Sequence, residues 1–406
     1  MHNGSASVPR LHRPPLGTRD LLPPDVMQKQ WVEACLSEVF QSWGYQRVIT
    51  PTLEHLSTLT AGESILPEAV LQVRDAEGVI YGLRPEFTAS IVRAAATRMA
   101  HSPMPLRLFY LGSVFRNAQR EQEFFQAGVE LIGAGTWQAD AETLLLLTRC
   151  LQTLQVDPWQ LIIGDVGVTQ SLLGLLSPTG RDVIRQAITQ LDQVGLETAP
   201  LSETDRQIGL QILELRGQPA TVFQRLAELP LPSSQWERIR DLEKVCTLLE
   251  QQQVELVVDL SLLQSFTNYT GLIFQAVSGQ EVIGLGGRYD QLFSIYSPTQ
   301  EHQPGIGFTL LLERLQRVLV QTGQLPHRAM SLHLVVPSDA TALPASLEFA
   351  QQRRQQFPHT GVELELLGRT PQEVEEYARQ RQIDIITWVQ SDGSFHSVPA
   401  DSYLLT

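Results

Sequence analysis

Side chains suited to holding a small charged molecule gather in three separated parts of this 406-residue chain. Glu86 and Thr88 follow Leu83-Arg84-Pro85, and Gln126 and Glu130 lie within Glu123-Phe124-Phe125-Gln126-Ala127-Gly128-Val129-Glu130. Tyr269 opens Tyr269-Thr270-Gly271, and Tyr289 sits in Gly286-Gly287-Arg288-Tyr289-Asp290. Carboxylates beside a hydroxyl and an amide suit a cationic group. Tyrosines beside glycines can border a ring where the backbone must come close. Arg116 and Arg314 are candidates for holding an anion. Each choice has a plain alternative: an acid at a solvated strand or loop end, or a tyrosine packed as an ordinary strand aromatic.

These residues need a scaffold, and hydrophobic periodicity outlines one. Pro23 and Pro24 sit where a helix can begin, an apolar stripe runs from Val26 to Trp43, and Gly44 is placed to end it. Tyr45–Thr50 is a short strand pattern stopped by Pro51. Val70–Val73 and Val79–Leu83 flank a turn at Asp75-Ala76-Glu77-Gly78. Helices are predicted over Glu86–Met99 and Gln138–Leu154, and strands over Leu106–Phe115, Phe124–Ile132 and Trp159–Asp165. From about 166 to 250 a leucine-rich helical spacing takes over, which reads as a helical insertion. Strands resume at 254–260, 269–277 and 281–285, and Gly307–Val320 is predicted as a helix. Beyond a linker at 321–328 the pattern alternates strand and helix, as in a small α/β layer. The expected domains are therefore 1–327, with the insertion, and 328–406.

Composition narrows the chemistry. Formal net charge is −14, and Lys29 and Lys244 are the only lysines. A surface that binds nucleic acid must be cationic to displace counterions, so this balance argues against that role. Cys35, Cys150 and Cys246 are few and scattered, which points to a reducing compartment and to neither a disulfide framework nor a metal site. The N-terminal residues lack the apolar core of a signal peptide, and no apolar run is long enough to span a membrane. A cytoplasmic protein is expected.

The ordered set of motifs resembles the class II aminoacyl-tRNA synthetase core, and within it the histidyl enzyme. Gly17-Thr18-Arg19-Asp20, Gly44-Tyr45 and Thr50-Pro51 are similar to the entry and first class motif, which builds a dimer interface. Val114-Phe115-Arg116-Asn117 with 123–130 resembles the second motif, and Gly305-Ile306-Gly307-Phe308 with Glu313-Arg314 resembles the third. The segments at 269–271 and 286–290 look like the two histidine-specific ones. This implies an α+β fold: an antiparallel sheet flanked by helices, with a helical insertion and a C-terminal α/β domain resembling a shortened anticodon-binding domain. It also implies that Glu86, Thr88, Gln126 and Glu130 meet the ammonium of histidine, that Tyr269 and Tyr289 border its ring, and that Arg116 and Arg314 mark a residual nucleotide or anion site.

The synthetase pattern then breaks. Where a histidyl enzyme places a catalytic arginine, five residues before the tyrosine of Tyr-Thr-Gly, this chain has Gln264. Glutamine donates a hydrogen bond but supplies no charge for amino-acid activation. The loop between Arg116 and Glu123 is short, Phe87 replaces a glycine and is expected to narrow the pocket or shift the helix, and Asn268 replaces a tyrosine. The tail carries Glu363, Glu365, Glu373, Glu375 and Glu376, a poor surface for an anticodon loop. Such losses match the ATP phosphoribosyltransferase regulatory subunits. That resemblance implies a non-catalytic histidine sensor with no cofactor. It implies a homodimeric core within a hetero-octamer that includes a short-form catalytic subunit. The alternatives are an active histidyl-tRNA synthetase and a paralogue forming an adenylate on another substrate.

Overall fold

Pro23 opens the first helix, where its missing N–H would have had no partner anyway, and α1 (Pro23–Ser42) buries Val32, Leu36, Val39 and Phe40. The computed structural model describes residues 12–63, 65–117, 121–190, 192–233, 235–262, 269–326 and 331–400. The chain divides into two compact units, Met1–Leu325 and Pro326–Thr406.

In the first unit, β1 (Gln46–Arg47) leads to a small three-stranded sheet of β2 (Leu53–His55), β3 (Gln72–Arg74) and β4 (Ile80–Leu83). Asp75 builds the β3–β4 turn by accepting from the N–H groups of Glu77 and Val79, at 2.9 and 2.8 Å. The short α2 (Leu56–Thr60) precedes this hairpin, and α3 (Thr88–Arg98) follows it. Next come β5 (Leu106–Phe115), β6 (Glu123–Ile132), α4 (Trp137–Thr153) and β7 (Gln160–Asp165). The helical stretch holds α5 (Val166–Gly174), α6 (Pro178–Gln190), α7 (Gln193–Thr198), α8 (Glu203–Leu213), the two-residue β8 (Arg216–Gly217), α9 (Pro219–Leu226) and α10 (Gln235–Gln251). The unit closes with β9 (Leu256–Asp259), β10 (Leu272–Ser278), β11 (Glu281–Arg288), α11 (Leu292–Tyr296), β12 (Gly305–Leu311) and α12 (Leu312–Gln321).

Among the described residues nine strands form one sheet, in the order β1-β5-β6-β12-β11-β10-β7-β9-β8. The six strands from β5 to β7 pair antiparallel throughout. β1 joins β5, and β9 joins β7, in parallel. Alternation along β6 divides the two faces. Phe125, Ala127, Val129 and Leu131 face the core formed with α1, α4, α10 and α12, while Phe124 and Ile132 face a smaller cluster under α3 and α11. Gln126, Gly128 and Glu130 belong to that second face by the same period.

The structure departs from the periodicity reading at Gly307–Val320. Residues 305–311 are the central strand β12, and helix begins only at Leu312. Gly305, Gly307 and Thr309 alternate with buried Ile306, Phe308 and Leu310. This is a small/large alternation on a strand covered on both faces, where an apolar/polar rhythm is lost. The Tyr45–Thr50 pattern shortens to Gln46–Arg47, because the chain turns away at Pro51 to enter the small sheet.

The second unit has a sheet ordered β14-β13-β15-β16, from β13 (Ser331–Pro337), β14 (Thr360–Leu364), β15 (Ile385–Val389) and β16 (Phe395–Pro399). Helices α13 (Leu343–Gln356) and α14 (Pro371–Arg381) connect the parallel strands. Strand β16, which has no counterpart in the predicted elements, adds antiparallel to β15. Several acidic side chains of this unit have local partners. Glu363 accepts from Arg381 at 2.6 Å and from Tyr377 at 3.0 Å, Glu365 from Arg369 at 2.8 Å, and Glu373 completes a capping box with Thr370.

His333 is buried here, with Nε2 2.6 Å from Thr387 Oγ1, and Thr387 reaches Ser397 at 2.7 Å. Burial, with the nearby Arg353 charge, pushes the imidazole down to about 4. The unfolded chain therefore binds the extra proton first, and stability falls as pH drops from about 6.5 to 4. We expect a loss of about 2 to 3 kcal/mol across that window. Acid unfolding of the intact chain, followed beside His333→Gln, checks this; identical acid limbs would exclude His333 as the cause.

Candidate functional site

Glu130 lies mid-strand on β6, paired with Leu108 on β5 and Gly307 on β12. Its side chain is 2% exposed. Thr88 Oγ1 donates to Glu130 Oε1 at 2.8 Å, and the Tyr289 hydroxyl donates to Oε2. Burial outweighs both bonds and pushes the carboxyl up to about 8, with the Glu86 charge adding to the rise. A Cβ at position 307 would lie 2.1 Å from Glu130 Oε2 and 2.3 Å from the Val129 carbonyl oxygen. Only glycine leaves room for the carboxylate there.

Glu86 stands on the other side of Thr88. Its carboxylate accepts from the Thr88 N–H and, at 2.9 Å, from the Ala89 N–H at the first turn of α3. Thr88 thus joins two acids: its backbone serves Glu86 and its hydroxyl serves Glu130. Burial also raises the Glu86 carboxyl. Two partly desolvated acids a single residue apart favour a cation between or beside them. Gln126 is buried on the same face, two pleats along β6 from Glu130.

Tyr289 is buried and Tyr269 partly so. A Cβ at Gly287 would lie 2.8 Å from the Tyr269 ring, so this glycine accommodates a protein side chain. Gly286, on the opposite face, faces Phe274 and the β12 backbone instead. The glycines of these segments therefore make space for tyrosine and phenylalanine packing as well as for close strand pairing.

Phe87 packs on this same face. It stacks on Tyr110 with centroids 4.3 Å apart and 19° between planes, and the Arg84 guanidinium covers it at 4.1 Å. Arg84 is fixed by the carbonyls of Thr50 and Ser113, at 2.8 and 3.0 Å. Tyr110 is the site residue that motif reading missed. It sits opposite Gly128, and Glu130 raises its hydroxyl further after burial has done so. Its signal was the period of Leu106–Phe115, which puts residues 108 and 110 on one face once the register with β6 is known.

Arg116 donates to the Pro85 carbonyl at 3.2 Å and stands 5.4 Å over Phe124. It is close enough to be attracted by Glu86 and repelled by Arg314. Arg314 donates to the Val282 carbonyl at 3.2 Å and lies 3.9 Å from Glu281. The structure thus links Glu86, Thr88, Glu130 and Tyr289 through successive hydrogen bonds, with Tyr269 and Gln126 on the same sheet face, Arg116 near Glu86 and Arg314 near Arg116. Gln264 and Asn268 lie outside the described residues. No group of three or more metal-ligating side chains occurs among the described residues, and no described helix is long and apolar enough to cross a membrane.

Fold and site together define a histidyl-tRNA synthetase-like protein. The family model for histidyl-tRNA synthetase matches residues 17–315. The ATP phosphoribosyltransferase regulatory subunit of Synechococcus sp. (strain JA-3-3Ab) is 56% identical over 393 residues, covering 95% of this chain and 94% of the relative. The chain belongs to the ATP phosphoribosyltransferase regulatory subunit family, on the histidyl-tRNA synthetase fold. Among solved structures, an ATP phosphoribosyltransferase regulatory subunit/histidyl-tRNA synthetase from Bacillus halodurans C is similar at TM-score 0.79 and 26% identity, covering 94% of this chain and 98% of that one. Histidyl-tRNA synthetase from Nostoc sp. PCC 7120 shares the fold, at TM-score 0.79, 20% identity and coverage of 96% and 97%.

The raised pKa of Glu130 has a measurable consequence. At pH 7 the empty site holds Glu130 protonated, whereas pairing with an ammonium requires the carboxylate. Amino-acid binding should therefore release up to about one proton at pH 7 and tighten as pH rises toward 8. Calorimetry in buffers of different ionisation enthalpy reads the release directly. Loss of this dependence in Glu130→Gln is expected; equal proton release in both proteins would remove Glu130 from the linkage.

Proposed function

We propose that this chain is the non-catalytic regulatory subunit of an ATP phosphoribosyltransferase, the enzyme that condenses ATP with phosphoribosyl pyrophosphate in the first step of histidine biosynthesis. It acts with a short-form catalytic subunit and senses L-histidine. The observation that carries the reading is the Glu130 site, buried and bonded to Thr88 and Tyr289, in a chain with Gln264 where a histidyl enzyme has arginine. Family membership supports a catalytic subunit as the partner.

The physical account has two parts. Glu130 and Glu86 offer negative charge to the ammonium of histidine, and Tyr269 and Tyr289 border the imidazole. Removing water from a carboxylate is unfavourable, and an incoming ammonium offsets that penalty. Activation of the bound amino acid would require positive charge on its carboxylate as adenylate forms, and glutamine at 264 lacks it. Arg116 and Arg314 supply a flanking anion site without completing an activation centre. For histidine to regulate, its binding energy must differ between active and inhibited assemblies. The reading includes a cytoplasmic location and a homodimeric core within a hetero-octamer.

Mixing the chain with a short-form phosphoribosyltransferase should raise the latter's activity, and the chain alone should exchange no pyrophosphate into ATP in the presence of histidine. Exchange by the isolated chain would instead mark a synthetase or another adenylate-forming enzyme. In Glu130→Ala the calorimetric Kd for histidine should rise roughly 10-fold or more, the value of a charge-assisted bond. Unchanged affinity would place histidine elsewhere.

A further inference from the structure

Thr270 is tied on three sides. Its N–H donates to the Arg288 carbonyl at 2.8 Å, and its hydroxyl accepts from the Asp290 N–H at 3.0 Å. Its carbonyl turns the other way and accepts from Arg238 Nη1, also at 2.8 Å. Arg238 belongs to the first turn of α10, more than thirty residues earlier and inside the helical stretch of 166–251. The same Nη1 lies 3.3 Å from Asp165 Oδ1, and Asp165 is a buried residue at the end of β7 that caps α5 through the Val168 N–H at 2.9 Å.

Local sequence makes room for this guanidinium. A Cβ at Gly167 would fall 2.3 Å from Arg238 Nη1 and 2.9 Å from its Cζ, so the first turn of α5 is open where the arginine crosses. Gly271 lies between two arginines, with a Cβ there 3.1 Å from Arg288 Cδ and 3.6 Å from Arg238 Nη1. Arg288 is itself buried and anchored by Asp140 at 2.6 Å and Asp290 at 3.0 Å. Two arginines on opposite flanks thus hold the Thr270–Gly271 backbone. One is fixed to the sheet core and the other to the helical insertion.

We propose that Arg238 is a positioning residue for the candidate pocket: through the Thr270 carbonyl it sets where Tyr269 lies over Gly287, so the helical insertion controls affinity at a site it does not line. Arg238 touches no ligand in this scheme. Its guanidinium is the fixed point between α5, α10 and the Tyr269-Thr270-Gly271 segment, and a shift of the insertion reaches the pocket through that contact. The proposal rests on the histidine-binding reading for its ligand, and on geometry alone for the ordering of the segment.

The test uses the full chain as unaltered protein, Arg238→Met and Arg238→Lys. Methionine approximates the stem and removes the donors, while lysine keeps a charged donor. In Arg238→Met, amide hydrogen exchange over 269–272 should quicken roughly 10-fold while β13 and α12 exchange as before, and the histidine Kd should rise by a similar factor. Arg238→Lys should hold both within about threefold of the unaltered protein. Unchanged exchange over 269–272 in Arg238→Met overturns the proposal, as does faster exchange with unaltered histidine affinity, or faster exchange spread over the whole chain. If the unaltered protein takes up no histidine, the reading of the pocket fails, and the exchange pattern still decides whether Arg238 orders the segment.

Discussion

A carboxylate set into the middle of an antiparallel sheet needs a reason to be there and a way to fit. Glu130 has both in the pairing of β6 with β12. The register places Gly307 opposite it, and the missing side chain there leaves space for the carboxylate. The Thr88 and Tyr289 hydroxyls supply the hydrogen bonds that a buried acid requires. Thr88 arrives on the first turn of α3 and Tyr289 at the end of β11, so three separate segments converge on one side chain. If that pairing slipped by a residue, Glu130 would turn into the apolar core shared with α1 and α4. The rest of the site depends on this one registration.

Polar groups in the vicinity follow from the same constraint. Glu86 is held by backbone donors at the start of α3, which suits an acid at a helix N-terminus. Phe87, one residue on, stacks on Tyr110 under the Arg84 guanidinium. Gly112, on β5, leaves space against the phenyl ring.

Electrostatics distinguishes two parts of the site. The two acids are poised for a cation, and their burial makes an empty, fully ionised site unfavourable. Arg116 is attracted by Glu86, and it and Arg314 repel each other, which favours an anion near them. The net charge is −14, and Glu363 and Glu365 of the C-terminal unit are paired with arginines of that unit.

Much of the fold was legible in the chain. Leu106–Phe115, the helix after Pro23, the Asp75 turn and the helical stretch from 166 carried clear periods or local hydrogen-bonding signals, and those are short-range properties. The acids, tyrosines and arginines of the site were equally visible, because residue type and order along the chain identify a resemblance without any coordinates. Sequence alone could not show that residues 305–311 form a strand, since a strand buried on both faces loses its polar rhythm. Nor could it show that Tyr110 faces Glu130, that Phe87 stacks on Tyr110, or that Arg238 reaches Thr270 from the insertion. Each of these depends on which strands pair and in what register. Chemistry was set by the order of residues; proximity was set by long-range pairing, whose partners lie tens to hundreds of residues apart and leave no local trace.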